Sequence, residues 1–390
     1  MGYLKLLISH KRTIGFGFLN SFFSGLGQTH FISVFSPFIM AQYALNHSQY
    51  GSLYSLITLL SGFTIIFLGP LIDRYDLRYF CLFIAAGLVL SELAMMSHLG
   101  VVSLGVGLFG LRLFGQGLCS SIGSISIARY FSGERGKALS LCQMGFPAYE
   151  GLITPLGAFL MAQAQFHTVA ILLMIAVLVI YVPFTFFMTR EIPDFNLPNE
   201  VATNKQPGTP SESMQKSWTR KEVFLSPTIY TLLPQTLMPP FALTGVFFHQ
   251  AAFADQKGWT LSLMASGLFF FAIGRVINTF LTGPLVDKHS AVSLFPYYQF
   301  PMAAGFFAMG WGDQSFIPAL CFALCGLTVG SGGPIKSAIW AELYGIKHLG
   351  AIKSSLATLM VFSTAASPAL FGWLIESGFS MKFMFGTLGL

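Results

Sequence analysis

The feature that most constrains this chain is the repetition, along its whole length, of long stretches without a single charged residue. Cys81–Leu90, Val101–Leu111, Val169–Met188 and Leu261–Ile273 are examples. A helix needs about 20 apolar residues to cross the hydrocarbon core of a bilayer. Only helices and closed barrels satisfy their backbone there. The alternating pattern of a barrel strand is absent, so the expectation is an all-α membrane protein. Charged residues make up 9% of the 390, against about 25% in soluble domains, too few to clothe a water-facing surface.

Windows of about 19 residues place spans near 13–41, 51–72, 79–97, 100–127, 137–162, 168–189, 225–252, 261–284, 291–311, 315–339 and 349–375, with a further start at 380. Phe379–Leu390 is too short to cross at 1.5 Å per residue, so the last helix is expected to be truncated or only partly inserted. Met1–Arg12 is short and basic, and the apolar run after it is too long for a signal peptide, so it reads as a first span. The five cysteines all lie in apolar segments, in an odd number and without metal-ligand spacing. They are expected to pack rather than to form disulfides or hold a metal.

The connections carry an orientation signal. Fifteen Lys and Arg fall on one alternate set of connections, among them Lys5, Arg74, Arg129 and Lys288, while the other set holds only Lys257 and Lys382. Positive residues stay inside, so the amino terminus is expected in the cytoplasm of a cell with the chain in its inner or plasma membrane. The net charge of +6 is then a topology signal, and no clustered basic face suggests a nucleic-acid partner. Asn196–Ser213 mixes Pro, Asn, Thr, Ser, Gly and charge with little to bury, which predicts a mobile linker. The expected organisation is a six-helix bundle over 1–190, a cytoplasmic linker over 191–224, and a second bundle over 225–390.

The halves repeat one motif. Gly69-Pro70-Leu71-Ile72-Asp73-Arg74 follows the second span, and Gly283-Pro284-Leu285-Val286-Asp287-Lys288 follows the eighth. Internal repeats of this kind are how many secondary transporters build two bundles around a midplane site. The paired motif resembles the loop signature of the major facilitator superfamily, Gly-x-Leu-Ala-Asp-Arg-x-Gly-Arg-Arg. Gly69, Leu71, Asp73, Arg74 and Arg78 match the first copy, with Asp76 in place of a Gly; the second copy loses its basic tail to Ser290, Ala291 and Val292. Arg112-Leu113-Phe114-Gly115-Gln116-Gly117, Arg129-Tyr130-Phe131 and Arg135-Gly136-Lys137-Ala138 are similar to further features of that family. The resemblance implies two six-helix bundles around a central cavity, alternating access and no enzymatic activity. It also implies that Asp73, Arg74, Arg129 and Asp287 gate the cytoplasmic side.

Ionisable groups inside spans are costly and mark function by default. Arg112, Glu150 and Arg275 all fall near mid-span, and Glu92 lies nearer one end. Arg275 has Asn278 a turn away, and its guanidinium always carries charge, so it must meet a cavity, an acid or an anionic solute. His30 with Gln28 in the first span, and His249 in the seventh, join Arg275, Arg112 and Asn278 as the candidate substrate-binding set. The other reading of the arginines is a buried ion pair with Glu150 that only holds helices in register. Glu150 is the candidate proton carrier: dehydration at mid-membrane favours its neutral form, and a neighbouring cation favours the carboxylate.

The resulting expectation is a monomeric secondary active transporter that moves a small organic anion with protons, needing no cofactor or metal. Efflux of amphipathic, drug-like compounds through a Phe- and Met-lined cavity is the alternative in the same fold. A Gly145-Phe146-Pro147-Ala148-Tyr149-Glu150-Gly151 run stands where the drug-antiporter branch has Gly-Pro-x-x-Gly-Gly, which argues against that alternative. A non-transporting sensor on the same scaffold would be expected to carry a folded soluble domain. No His-Glu-x-x-His, Gly-x-Ser-x-Gly or phosphate loop suggests an enzyme.

Overall fold

The computed structural model describes residues 3–73, 75–131, 135–189, 218–345 and 349–389, and the described chain is helical. The long segments are α1 (11–43), α2 (His47–Leu68), α3 (Leu77–Met96), α4 (101–130), α5 (135–163) and α6 (Phe166–Thr189). After residue 217 come α7 (Pro227–Phe248, continued by Gln250–Lys257), α8 (Leu261–His289), α9 (Phe300–Trp311), α10 (Ile317–Tyr344), α11 (Leu349–Glu376) and α12 (Met381–Gly389). Most of the 191–224 linker lies outside the described residues, including all of 196–213; its last turn forms the helix Arg220–Leu225.

Among the described residues, seven helices are long and apolar enough to cross a membrane: α2, α3, α4, α6, α8, α10 and the Ser355–Glu376 part of α11. Several other expected spans are broken. α1 tightens into a 3-10 turn at Ser24–Gly27, becomes extended at Gln28 (φ −80°, ψ 146°) and restarts at Thr29. The break lets Gly27 lie directly on the Leu111 carbonyl and Gln116 amide of α4, where any Cβ would collide. α5 turns at Met144 just before Pro147, which has no N–H to donate. The expected ninth span, 291–311, is the short helix Ala291–Leu294, a turn, and then α9.

Ends of helices are set locally. Asn46 caps α2 in a reciprocal box, its Oδ1 accepting from Gln49 N–H (2.8 Å) while Gln49 Oε1 accepts from Asn46 N–H (3.0 Å). Thr260 caps α8 through its hydroxyl, after Gly258 closes α7 in the left-handed region (φ 67°).

Apolar packing falls into separate clusters. One joins buried residues from Phe16 to Tyr181 and takes in Phe248 of α7, which stacks on Tyr50 (4.8 Å). Two others lie toward the carboxyl-terminal half, one from Ala242 to Phe385 and one from Val223, at the end of the linker, to Leu356. The tightest helix pair is α8 with α10. Gly326 and Gly330 of α10 press on the Phe271 and Arg275 carbonyls, leaving no room for a Cβ. α2 and α11 meet just as closely at one end: Gly51 lies on the Pro368 carbonyl, Gly372 on the His47 carbonyl, and Glu376 Oε1 accepts the His47 N–H at 2.9 Å. At the opposite end Gly69 and Gly283, the first residues of the repeated motif, have nothing within 4 Å of where a Cβ would stand. The helices α2 and α11 are therefore closed together at the end that carries His47 and Glu376.

Candidate functional site

Glu150 and Arg275 form the centre of the site. Arg275 Nη1 donates to both carboxylate oxygens of Glu150, at 2.8 Å each. Glu150 lies on α5 within a π-helical turn, Tyr149–Ile153, and Arg275 lies on α8, so the pair joins helices from opposite sides of the linker. π-helical turns often occur at functional positions, and this one brings Glu150 to α8 where Gly151 packs on Ala272. Glu150 is 8% exposed. The Arg275 side chain is 27% exposed and lies with its Cζ 5.9 Å from the Phe146 ring centre.

His30 completes the group. Its Nε2 stands 3.6 Å from Glu150 Oε1, and its Nδ1 hydrogen-bonds with the Thr154 hydroxyl at 3.0 Å. Gln250 of α7 donates to Ser33 Oγ at 2.7 Å and to the His30 carbonyl at 3.4 Å. Four elements (α1, α5, α7 and α8) therefore converge on one buried polar cluster.

The remaining expected site residues are placed elsewhere. Arg112 is buried against α1 and α2: its Nη1 donates to Thr29 Oγ1 (3.2 Å), and its Cζ lies 5.3 Å from the Tyr54 ring centre. Its Nε has no hydrogen-bond partner. The acid partner expected for Arg112 is instead taken by Arg275. Gln28 is the extended residue at the α1 break, and its side chain makes no capping hydrogen bond. His249 Nε2 bonds to the Pro368 carbonyl at 2.8 Å and its ring meets His47, so it belongs to the α2–α11 seam. Asn278 donates to the Leu327 carbonyl (2.7 Å) and to Ser331 Oγ (3.2 Å), tying α8 to α10. Of the expected gating residues, Arg74 and the side chains of Asp73, Arg129 and Asp287 lie outside the described residues.

Beside the ion pair, between α5 on one side and α8 and α10 on the other, is a cleft of about 300 Å³. Arg275 lines it, with Met144, Pro147, Val276 and Val329 forming apolar wall and Gln143 contributing an amide. Gln143 escaped the sequence reading because it is uncharged and sits near the end of its span. The available signal was its position two turns before Glu150, on the same face of the helix.

A helical membrane protein with a broken first helix, glycine-packed helix pairs and a charged cluster between its halves has the architecture of a transporter. The chain belongs to the Major Facilitator Superfamily, whose profile matches residues 17–335. Its fold is similar to that of a bacterial homologue of the human lysosomal transporter Spinster, solved inward-facing and unoccupied (15% identity, TM-score 0.66, 97% of this chain and 88% of the other). The occupied inward-facing form of that homologue is also similar (14% identity, TM-score 0.56, 98% and 89%), as is the peptide transporter POT in a mutant form (15% identity, TM-score 0.67, 97% and 90%). None of the curated proteins compared by sequence matches the chain.

Proposed function

We propose that the protein is a proton-coupled secondary transporter of a small organic anion. The observation that supports this most is the state of the Arg275 guanidinium. Among the described residues only Nη1 is engaged, by Glu150, which leaves the Nε and Nη2 edge without a partner on a residue that lines the cleft. That edge is a two-donor fork that fits a carboxylate. A carboxylate bound there would place two anions against one cation in a dehydrated site. Taking up a proton on Glu150 removes the surplus charge, so solute and proton favour each other's binding, as linkage requires.

The same pair supplies the conformational coupling. In alternating access the α5–α8 contact has to loosen, and a neutral Glu150 no longer holds Arg275 by charge. Arg112, His30, Gln28, Asn278 and His249 act around this centre: His30 orients Glu150, Arg112 keeps the α1–α2–α4 wall positive, and the others fix the breaks and seams that shape it. The motif residues Asp73, Arg74, Arg129 and Asp287 gate the end opposite the α2–α11 seam. With the amino terminus cytoplasmic in an inner or plasma membrane, that end faces inward. The two bundles, 1–190 and 225–390, then rock about the 191–224 linker as a monomer.

The deciding experiment is transport in proteoliposomes with Glu150→Gln, which mimics the protonated acid. Proton-driven accumulation of a labelled short-chain carboxylate, butyrate, should be lost while exchange at equal concentrations persists. Accumulation against a gradient with normal pH dependence would overturn Glu150 as the proton carrier.

A further inference from the structure

The cleft beside Arg275 is asymmetric in a way that restricts its ligand further. Its charged group is at one end: among the described residues Arg275 is the charged one lining it, with no acid or second cation in the wall. Gln143 also lines it, exposed, and its amide makes no hydrogen bond to any described residue. Thr279 also lines the cleft, but its hydroxyl donates to the Arg275 carbonyl at 2.7 Å and is not available. The wall between Gln143 and Arg275 is apolar, formed by Met144, Pro147, Val276 and Val329.

Two lengths set the size of what fits. Gln143 precedes Glu150 by seven residues, about 10 Å of helix, with the turn at Met144 between them. The guanidinium reaches in from the Glu150 end and the amide from the other, so the gap between them is that of a short carbon chain. The cleft volume of about 300 Å³ equals the space of about ten waters at roughly 30 Å³ each, at the lower limit for ligand sites.

We infer that Gln143 is a specificity-determining residue and that the substrate is a short monocarboxylate, about four carbons long, with an uncharged polar group at the end away from the carboxylate. The carboxylate takes the Nε and Nη2 edge of Arg275, the methylenes lie on the Met144 and Val329 wall, and the far hydroxyl or carbonyl meets the Gln143 amide. An amide can donate and accept, so it accepts either group. It cannot neutralise a second carboxylate, which would find no cation there among the lining residues. A dicarboxylate of the same length is therefore disfavoured. This inference rests on the anion-transport reading above.

Three acids with the same four-carbon chain test it, because they differ only at the far end: butyrate, 4-hydroxybutyrate and succinate. Binding to the purified full-length protein in nanodiscs is measured for each. The wild type should bind 4-hydroxybutyrate roughly three- to tenfold more tightly than butyrate, the gain expected for one net hydrogen bond, and succinate most weakly. Gln143→Leu should bring the first two within about twofold of each other. Gln143→Arg, which supplies a second cation, should make succinate the preferred ligand. Equal binding of butyrate and 4-hydroxybutyrate by the wild type, no effect of Gln143→Leu, or a wild-type preference for succinate overturns the assignment and leaves the anion reading standing. Failure of all three acids to bind removes the anion reading as well.

Discussion

Glu150 and Arg275 are 125 residues apart in sequence, and a single guanidinium nitrogen bonds both oxygens of the carboxylate. That arrangement ties α5 to α8 and leaves the other edge of the same guanidinium without a hydrogen bond to any described residue.

Arg275→Lys keeps the positive charge and loses the fork. We expect butyrate binding to weaken at least tenfold, because one charge-assisted hydrogen bond is worth about 1.5–3 kcal/mol. Arg275→Ala should abolish transport while the protein still reaches the membrane. Normal transport by Arg275→Ala would assign the arginine to structure alone. Binding measured by isothermal titration, with expression checked by blot, separates the two effects.

His30 is predicted to tune Glu150 rather than to carry the proton itself. Its Nδ1 is held by Thr154 and its Nε2 faces the carboxylate. His30→Gln should therefore shift the pH profile of accumulation while coupling survives. Thr154→Val, which frees the ring, should shift it the same way. Complete loss of coupling in His30→Gln with Glu150 intact would make His30 the carrier.

The α2–α11 seam should decide which state the protein prefers. Gly51→Val puts a branched side chain where the Pro368 carbonyl already lies, so the closed end must part. Distances between spin labels at Gln49 and Ser377, both on that end, should lengthen relative to the parent protein. Unchanged distances would show that the seam yields elsewhere.

Orientation can be tested with little background, because all five native cysteines are buried. A cysteine at Asp255 should react with an impermeant thiol reagent in intact cells, and one at Thr219 only after the membrane is opened. The reverse pattern would invert the topology.

One surface pair gives a pH test. Lys257 Nζ bonds Asp313 Oδ1 at 2.6 Å, and that contact holds the Asp313 carboxyl below its ordinary value of 3.8. A depressed carboxyl contributes stability above its unfolded value and loses it as pH falls through the folded one. Asp313 is fully exposed, so the effect is small and salt-sensitive. Asp313→Asn should lower Tm slightly at neutral pH, and the two proteins should converge as pH falls well below 3.8.

The spans were legible because burial in lipid demands long apolar runs, and apart from the ninth the observed helices fall within a few residues of those expected. The breaks in α1, α5 and the ninth segment were not legible. Glycine and proline are tolerated in membrane helices wherever a neighbour restores the lost hydrogen bonds, so Gly27 or Pro147 does not announce a break. The site was legible as a set of polar residues and not as a set of partners. His249 and Asn278 satisfy backbone carbonyls of α11 and α10, because every polar group in a dry interior must find a partner and the nearest is usually main chain. Pairing Glu150 with Arg275 rather than Arg112 required knowing that α5 lies against α8. Nothing in the local sequence of either helix states that.

The π-helical turn at Tyr149–Ile153 has a mechanical consequence. A turn closed by i→i+5 bonds holds one residue more than the α-helical register allows. Passing that surplus residue along the helix turns each side chain it crosses by about 100°, since 3.6 residues make a full circle. The axis need not bend and the ends need not translate. For Glu150 such a twist swings the carboxylate off Arg275 while the residues of α5 outside the turn stay seated on α8. The tie between the halves can thus be undone by torsion within one helix, before any bundle has moved.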